Sequence, residues 1–84
     1  MIKIESLKAS PDWKVFYTLS NGEERSSDLK NFLQFDVFKE LSEPKEFMKI
    51  HNGGYFVEWD AGCDLSLDTL NNNSILLRDK QIAA

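Results

Sequence analysis

The chain predicts an α+β domain in which a small antiparallel sheet, an N-terminal β-hairpin plus a later strand ending in tryptophan, carries short helices packed on one face. Three observations lead to that class. Apolar residues alternate at period two in two places, at Trp13, Val15, Tyr17 and Leu19 and again at Tyr55, Val57 and Trp59. An Asn21-Gly22 pair follows the first of these runs, where a hairpin turn needs it. Between residues 28 and 50 the apolar spacing lengthens to that of a helix.

Taken in order, the first strand alternates from Ile2 through Ile4, and Ser10-Pro11-Asp12 ends it, because proline removes a ladder donor. The second strand covers Trp13 to Leu19, with Lys14, Phe16 and Thr18 on the opposite face. At Asn21-Gly22 the chain is expected to turn with positive φ angles and return as a polar strand, Glu23 to Ser27, half exposed or at an edge. Asp28 is placed as an N-cap for a helix carrying Leu29, Phe32 and Leu33, and Val37, Phe38 and Leu41 mark a second helical turn. Ser42-Glu43-Pro44 starts a third helix of about two turns, with Phe47, Met48 and Ile50 facing inward.

Asn52-Gly53-Gly54 breaks that helix. The next strand sets Tyr55, Val57 and Trp59 on its core face, with Phe56 and Glu58 opposite. Asp60-Ala61-Gly62 turns the chain so that Cys63-Asp64-Leu65 runs back beside it. Ser66 caps a short closing helix with Asp68 in its first turn, and Asn71-Asn72-Asn73 ends it. Ile75, Leu76 and Leu77 then dock as an extended piece, completing one domain over residues 1–77, and residues 78–84 are expected to fray as a tail.

Composition narrows the function classes. At 84 residues there is material for one small core and none for a cleft between two domains. Hydrophobic residues at 42% argue against disorder. Ten basic against fourteen acidic residues give a net charge of −4, which disfavours autonomous nucleic-acid binding. One cysteine cannot form an internal disulfide, as fits the reducing cytoplasm, and no window of eighteen apolar residues or leader pattern suggests a membrane or secretory route.

The residues able to carry chemistry have structural readings. His51 is the single histidine, without an evident oriented partner, and is placed at a helix C-terminus where a positive group favours the macrodipole. Cys63 has Asp60 and Asp64 as its nearest ionisable neighbours, which disfavour a thiolate. Asp60, Asp64 and Asp68 could in principle surround a hard cation, but their spacing is not that of an EF-hand, and turn and helix-start roles account for Asp60 and Asp68. No catalytic, metal or cofactor residues are therefore assigned.

The run from Gly54 to Leu70, Gly-Tyr-Phe-Val-Glu-Trp-Asp-Ala-Gly-Cys-Asp-Leu-Ser-Leu-Asp-Thr-Leu, resembles the closing signature of domain-of-unknown-function family 2442. In that family a strand ending in tryptophan enters a Gly-containing turn, then an Asp-hydrophobic pair, then an Asp-Thr-Leu helix start. Trp59, Gly62, Asp64, Asp68, Thr69 and Leu70 occupy those positions here as structural residues. The Asn21-Gly22 hairpin, Val37-Phe38 and the Pro44 to Phe47 segment follow in the same order, so the resemblance covers residues 1 to 72. Asp60 and Ala61 stand where the family usually has proline and asparagine, and Cys63 where it has a small residue. The resemblance implies a small bacterial or phage-associated protein, in some cases encoded beside another small protein as in a toxin–antitoxin pair. It transfers no catalytic residue. Some members add a C-terminal helix-turn-helix domain, for which this sequence is expected to have no room.

The expected function is a cytoplasmic, non-enzymatic protein-interaction module, an antitoxin-like or regulatory partner of another small bacterial protein, with no cofactor. Phe16, Glu23, Glu24, Phe56 and Glu58 form the candidate interaction surface, the two phenylalanines because each lies opposite its strand's core set. The expected partner is a small basic toxin-like protein or a second copy of the chain, not nucleic acid or a membrane. One alternative is a phage-encoded inhibitor that blocks a basic nucleic-acid-binding host protein by presenting Glu23, Glu24, Asp28 and the Asp60, Asp64, Asp68 group. The other is an enzyme using a divalent metal at those aspartates or an activated Cys63.

Overall fold

Period-two patterning becomes strands wherever it was read, but they divide between two sheets. A computed structural model of the protein describes residues 1–79. One sheet has four antiparallel strands in the order β1-β2-β3-β7, formed by Ile4–Ala9, Lys14–Leu19, Glu23–Asp28 and Ser74–Asp79. The other has β4-β5-β6, formed by Ile50–Asn52, Phe56–Trp59 and Asp64–Ser66. The class is α+β, as expected, while the single sheet is corrected to two. The reason is a seam: Ile4 N–H donates to the Gly54 carbonyl at 2.7 Å, and the Asn52 side-chain amide donates to the Ile4 carbonyl at 3.0 Å. A side chain there serves where a main-chain ladder would have joined the sheets.

The β2–β3 hairpin has the expected partners, with Val15 opposite Ser27 and Tyr17 opposite Arg25. Its turn differs in detail. Gly22 alone is left-handed (φ 92°), its N–H bonding the Leu19 carbonyl at 2.9 Å, while the Asn21 side chain accepts from Glu23 N–H at 3.0 Å. This is a type I turn closed by a left-handed glycine. Residues 59–62 repeat it: Gly62 (φ 101°) donates to the Trp59 carbonyl at 2.9 Å. The tight return between β1 and β2 instead puts Trp13 itself at φ 64°, rare for a bulky residue. Trp13 is held by its indole N–H to the Leu41 carbonyl (2.8 Å) and by Leu29 N–H to its own carbonyl (2.8 Å).

The middle of the chain is helical but tighter and shorter than its spacing suggested. Two 3-10 helices, Lys30–Gln34 and Asp36–Ser42, flank an extended Phe35 (ψ 136°), and α1 is the single turn Pro44–Phe47. Asp28 does not cap an α-helix; its carboxylate accepts from Lys30 N–H in an Asx turn at the end of β3. Phe38, Leu41 and Phe47 are buried as the pattern required, whereas Val37 and Met48 are exposed, because the 3-10 and single-turn segments do not sustain a 3.6-residue stripe. Ile50 begins β4 rather than ending a helix, which places His51 on a strand. Tyr55 precedes β5 and is exposed, so the core face of that strand is Val57 and Trp59 alone.

Inward residues of both sheets share one core with the helical segments: Val15, Tyr17 and Leu19 from the first, Val57, Trp59 and Leu65 from the second. Trp59 is packed against Phe47 (centroids 5.8 Å apart) and edge-on to Phe38 (6.3 Å), and its indole N–H donates to the Phe47 carbonyl at 2.9 Å. The closing helix α2, Leu67–Asn72, starts on Ser66, whose hydroxyl accepts from Thr69 N–H at 3.2 Å, and buries Leu67 and Leu70. Its asparagine end ties the four-stranded sheet to α2. Asn71 accepts from the Tyr17 hydroxyl at 2.6 Å, and Asn73 both donates to and accepts from fully buried Ser27. Arg78 and Asp79, expected in a frayed tail, lie in β7 opposite Glu24 and Glu23; residues 80–84 lie outside the described residues. Among the described residues no helix is long and apolar enough to cross a membrane.

Candidate functional site

A three-stranded sheet with one face in the core must present its other face outward, and strand alternation decides what stands there. On β4, β5 and β6 the register sets His51 opposite Glu58 and Glu58 opposite Asp64, and all three are exposed. In the next row Phe56 stands opposite Ser66. Asp60, in the turn after β5, reaches back so that its carboxylate lies 2.6 Å from His51 Nε2. The face therefore combines one aromatic ring, three carboxylates and one imidazole. Glu58 and Asp64 share a cross-strand pair, an arrangement that is destabilising for like charges.

Phe56 is 37% exposed. Its ring lies down over Gly53, so closely that a Cβ at that position would collide with it. The glycine is what lets a strand-face phenylalanine rest partly sheltered without a helix above it. The β7 segment belongs to the other sheet.

The predicted interaction surface is thus split. Phe56 and Glu58 lie together on this face. Phe16 is exposed on the outer face of the four-stranded sheet, opposite Lys8 and two residues from Lys14, with Asp28 opposite Lys14 and Glu24 opposite Thr18, so its surroundings are of mixed charge. Glu23 is half-buried and joined to Arg25 at 2.6 Å, and Arg25 also donates to Ser74 at 3.0 Å, so Glu23 is committed within its own sheet. Glu24 faces Thr18 and Arg78 across the strands. Sequence reasoning placed Asp60 and Asp64 only among the carboxylates of the inhibitor alternative, not beside Phe56 and Glu58, and passed over His51. The signal available was the two-residue step from Glu58 to Asp60 together with a reading of Ile50 to Asn52 as a strand.

Of the motif residues, Trp59 and Leu70 are core, Gly62 is the left-handed turn residue, and Thr69 completes the helix cap. Asp64 stands on the acidic face and Asp68 in the first turn of α2. Cys63 is half-buried, and its thiol is pushed up chiefly by burial, with the Asp64 and Glu40 carboxylates adding to the shift. That opposes the activation a nucleophile needs. Among the described residues, no three His, Cys, Asp or Glu side chains gather as metal ligands.

No curated protein and no solved structure matches the chain. A family model described as "Protein of unknown function (DUF2442)" matches residues 4–75, a span that holds both sheets' strands through the start of β7. The chain belongs to that family.

Proposed function

We propose that the protein is a non-enzymatic interaction module of the cytoplasm whose three-stranded sheet docks a small basic protein, as an antitoxin or regulatory partner does. The observation that carries this reading is the cross-strand pair of Glu58 and Asp64 beside Phe56 on an exposed face. Like charges set opposite one another cost the free protein stability, and a cationic side chain placed between them would offset that cost. Phe56 adds the aromatic anchor around which such contacts concentrate. An acidic face also speeds encounter with a basic partner, an effect that salt screens.

Affinity purification of the tagged chain from its host tests the reading. The expected result is a stoichiometric small basic protein, retained by wild type, released as salt is raised, and absent when Glu58→Lys and Asp64→Lys are combined or when Phe56→Ser is used. Recovery of the chain without a partner, or of a partner indifferent to all these changes, overturns it.

A further inference from the structure

Every open sheet must deal with its edges, where unpaired main-chain groups invite another strand. Three of the four edges among the described residues are short, charged or partly occupied. β1 is met by Gly54 and Asn52 at Ile4 and carries Glu5 and Lys8 along the rest of its length, β4 is three residues long, and β6 is three residues long and begins at Asp64. The fourth, β7, is six residues long and, among the described residues, is paired on one side only, to β3. Its centre is Ile75-Leu76-Leu77, which are 65%, 49% and 52% exposed. No proline or charge interrupts that centre; the one protecting device it carries is a bulge at Leu77, where the register steps from Arg78 opposite Glu24 to Leu76 opposite Arg25.

We propose that β7 is a self-association edge, pairing antiparallel about a two-fold axis with β7 of a second copy of the chain. Ile75 and Leu76 point to opposite faces and Leu77 follows in the bulge, so a partner strand must be apolar on both of its faces to cover all three. β7 is itself such a strand. Among antiparallel self-registers, only the one placing Leu76 opposite Leu76 also sets Ile75 opposite Leu77, so that each apolar residue meets another. Arg78 and Asp79 lie beyond the bulge, outside this apolar triplet, so no charge faces its like within it. The edge carries one positive and one negative side chain, as a self-complementary contact requires and a site for a strongly charged partner would not. On the outer face the apolar surface continues through the cross-strand row from Ile75 past Ser26 to exposed Phe16. The paired copies would form one eight-stranded sheet, leaving the acidic faces of both β4-β5-β6 sheets outside the contact. This inference stands independently of the proposed function.

Contacts below about 1,200 Å² belong to weak associations, so sedimentation velocity of the full chain should show a concentration-dependent dimer on the order of 100 µM. Leu76→Lys and Leu76→Glu each set like charges across the axis and should weaken association at least about tenfold. Each should keep the wild-type melting curve, since Leu76 is half exposed. Mixing the two should restore a dimer, because Lys then faces Glu. If a charged variant loses its fold, Leu76→Thr, which keeps a strand-favouring residue, is expected to weaken association several-fold on its own. The proposal is overturned by a wild type that stays monomeric to about 1 mM, by dimers that survive the folded variants, or by folded charged variants whose mixture stays monomeric.

Discussion

At the scale of single residues, burial and hydrogen bonding fall on the same side chains. Trp59 combines a core position with an indole bond to the Phe47 carbonyl, so Trp59→Ala should cost roughly 3–5 kcal/mol in urea unfolding. In a small domain that approaches the whole of its stability. Tyr17 shows the pH counterpart. Burial, with a smaller contribution from the Glu23 carboxylate, raises its phenol pKa, against weaker lowering by Ser74 and Arg25. The fold thus favours the neutral form. The associated stability is complete below the unfolded value of about 10 and is lost as pH rises through the higher folded value. Tyr17→Phe should lower stability at pH 8, through loss of the Asn71 bond, yet show a shallower decline between pH 9 and 11. An equally steep decline would mean that other groups carry the alkaline transition. The tryptophan's core role was legible from its place at the end of an alternating run. The asparagine clasp was not, because Asn71-Asn72-Asn73 reads as a terminator and nothing local reveals which long-range partners its amides will meet.

At the scale of elements, strands and turns were more legible than helices. Alternation and a glycine at the left-handed turn position are local signals, and the β2–β3 and β5–β6 returns obeyed them. The helical middle was misjudged in kind, since 3-10 and α segments share short-range spacing and differ in how many turns sustain it. β4 was lost for a related reason: three residues carry too little periodicity to outweigh the helix before them. The pairing of Phe56 with Gly53 makes an element-level prediction. Gly53→Ala should destabilise the protein by about 1–3 kcal/mol through the clash with the ring. In a Phe56→Ala background most of that penalty should vanish, and a double-mutant cycle of thermal or urea midpoints reads the coupling. Additive losses would show that the ring does not rest on the glycine.

For the whole molecule, charge and topology point in different directions. The net charge of −4 was plain from composition, but its placement depended on register, which gathers Glu58, Asp60 and Asp64 on one sheet and leaves Lys8 and Lys14 beside Phe16 on the other. The division into two sheets could not be read from strand patterns, because it rests on a seam of specific long-range bonds. It does make the sheets separable in experiment. Truncation after Asn73 removes β7 and exposes β3, and should lower the melting midpoint markedly. Phe56→Ser lies in the other sheet, so the two losses should add to within about 0.5 kcal/mol. Strong coupling between them would require a shared mini-core.

Trp13 sets the order of events when the chain folds. Its left-handed backbone costs on the order of 1–3 kcal/mol, and the group that accepts its indole bond lies 28 residues later, at Leu41. Before that segment arrives only the turn's own bonds, Ser10 N–H to the Lys14 carbonyl and Trp13 N–H to the Ser10 carbonyl, offset the strain, whereas the β2–β3 return needs only Gly22 and can close at once. The β1–β2 connection is therefore a late event, on the native side of the rate-limiting barrier, and the β2–β3 hairpin is the better nucleus. Trp13→Gly should accelerate unfolding while leaving the refolding rate in stopped-flow measurements almost unchanged. A refolding rate that fell in step with stability would place the strained turn inside the transition state instead.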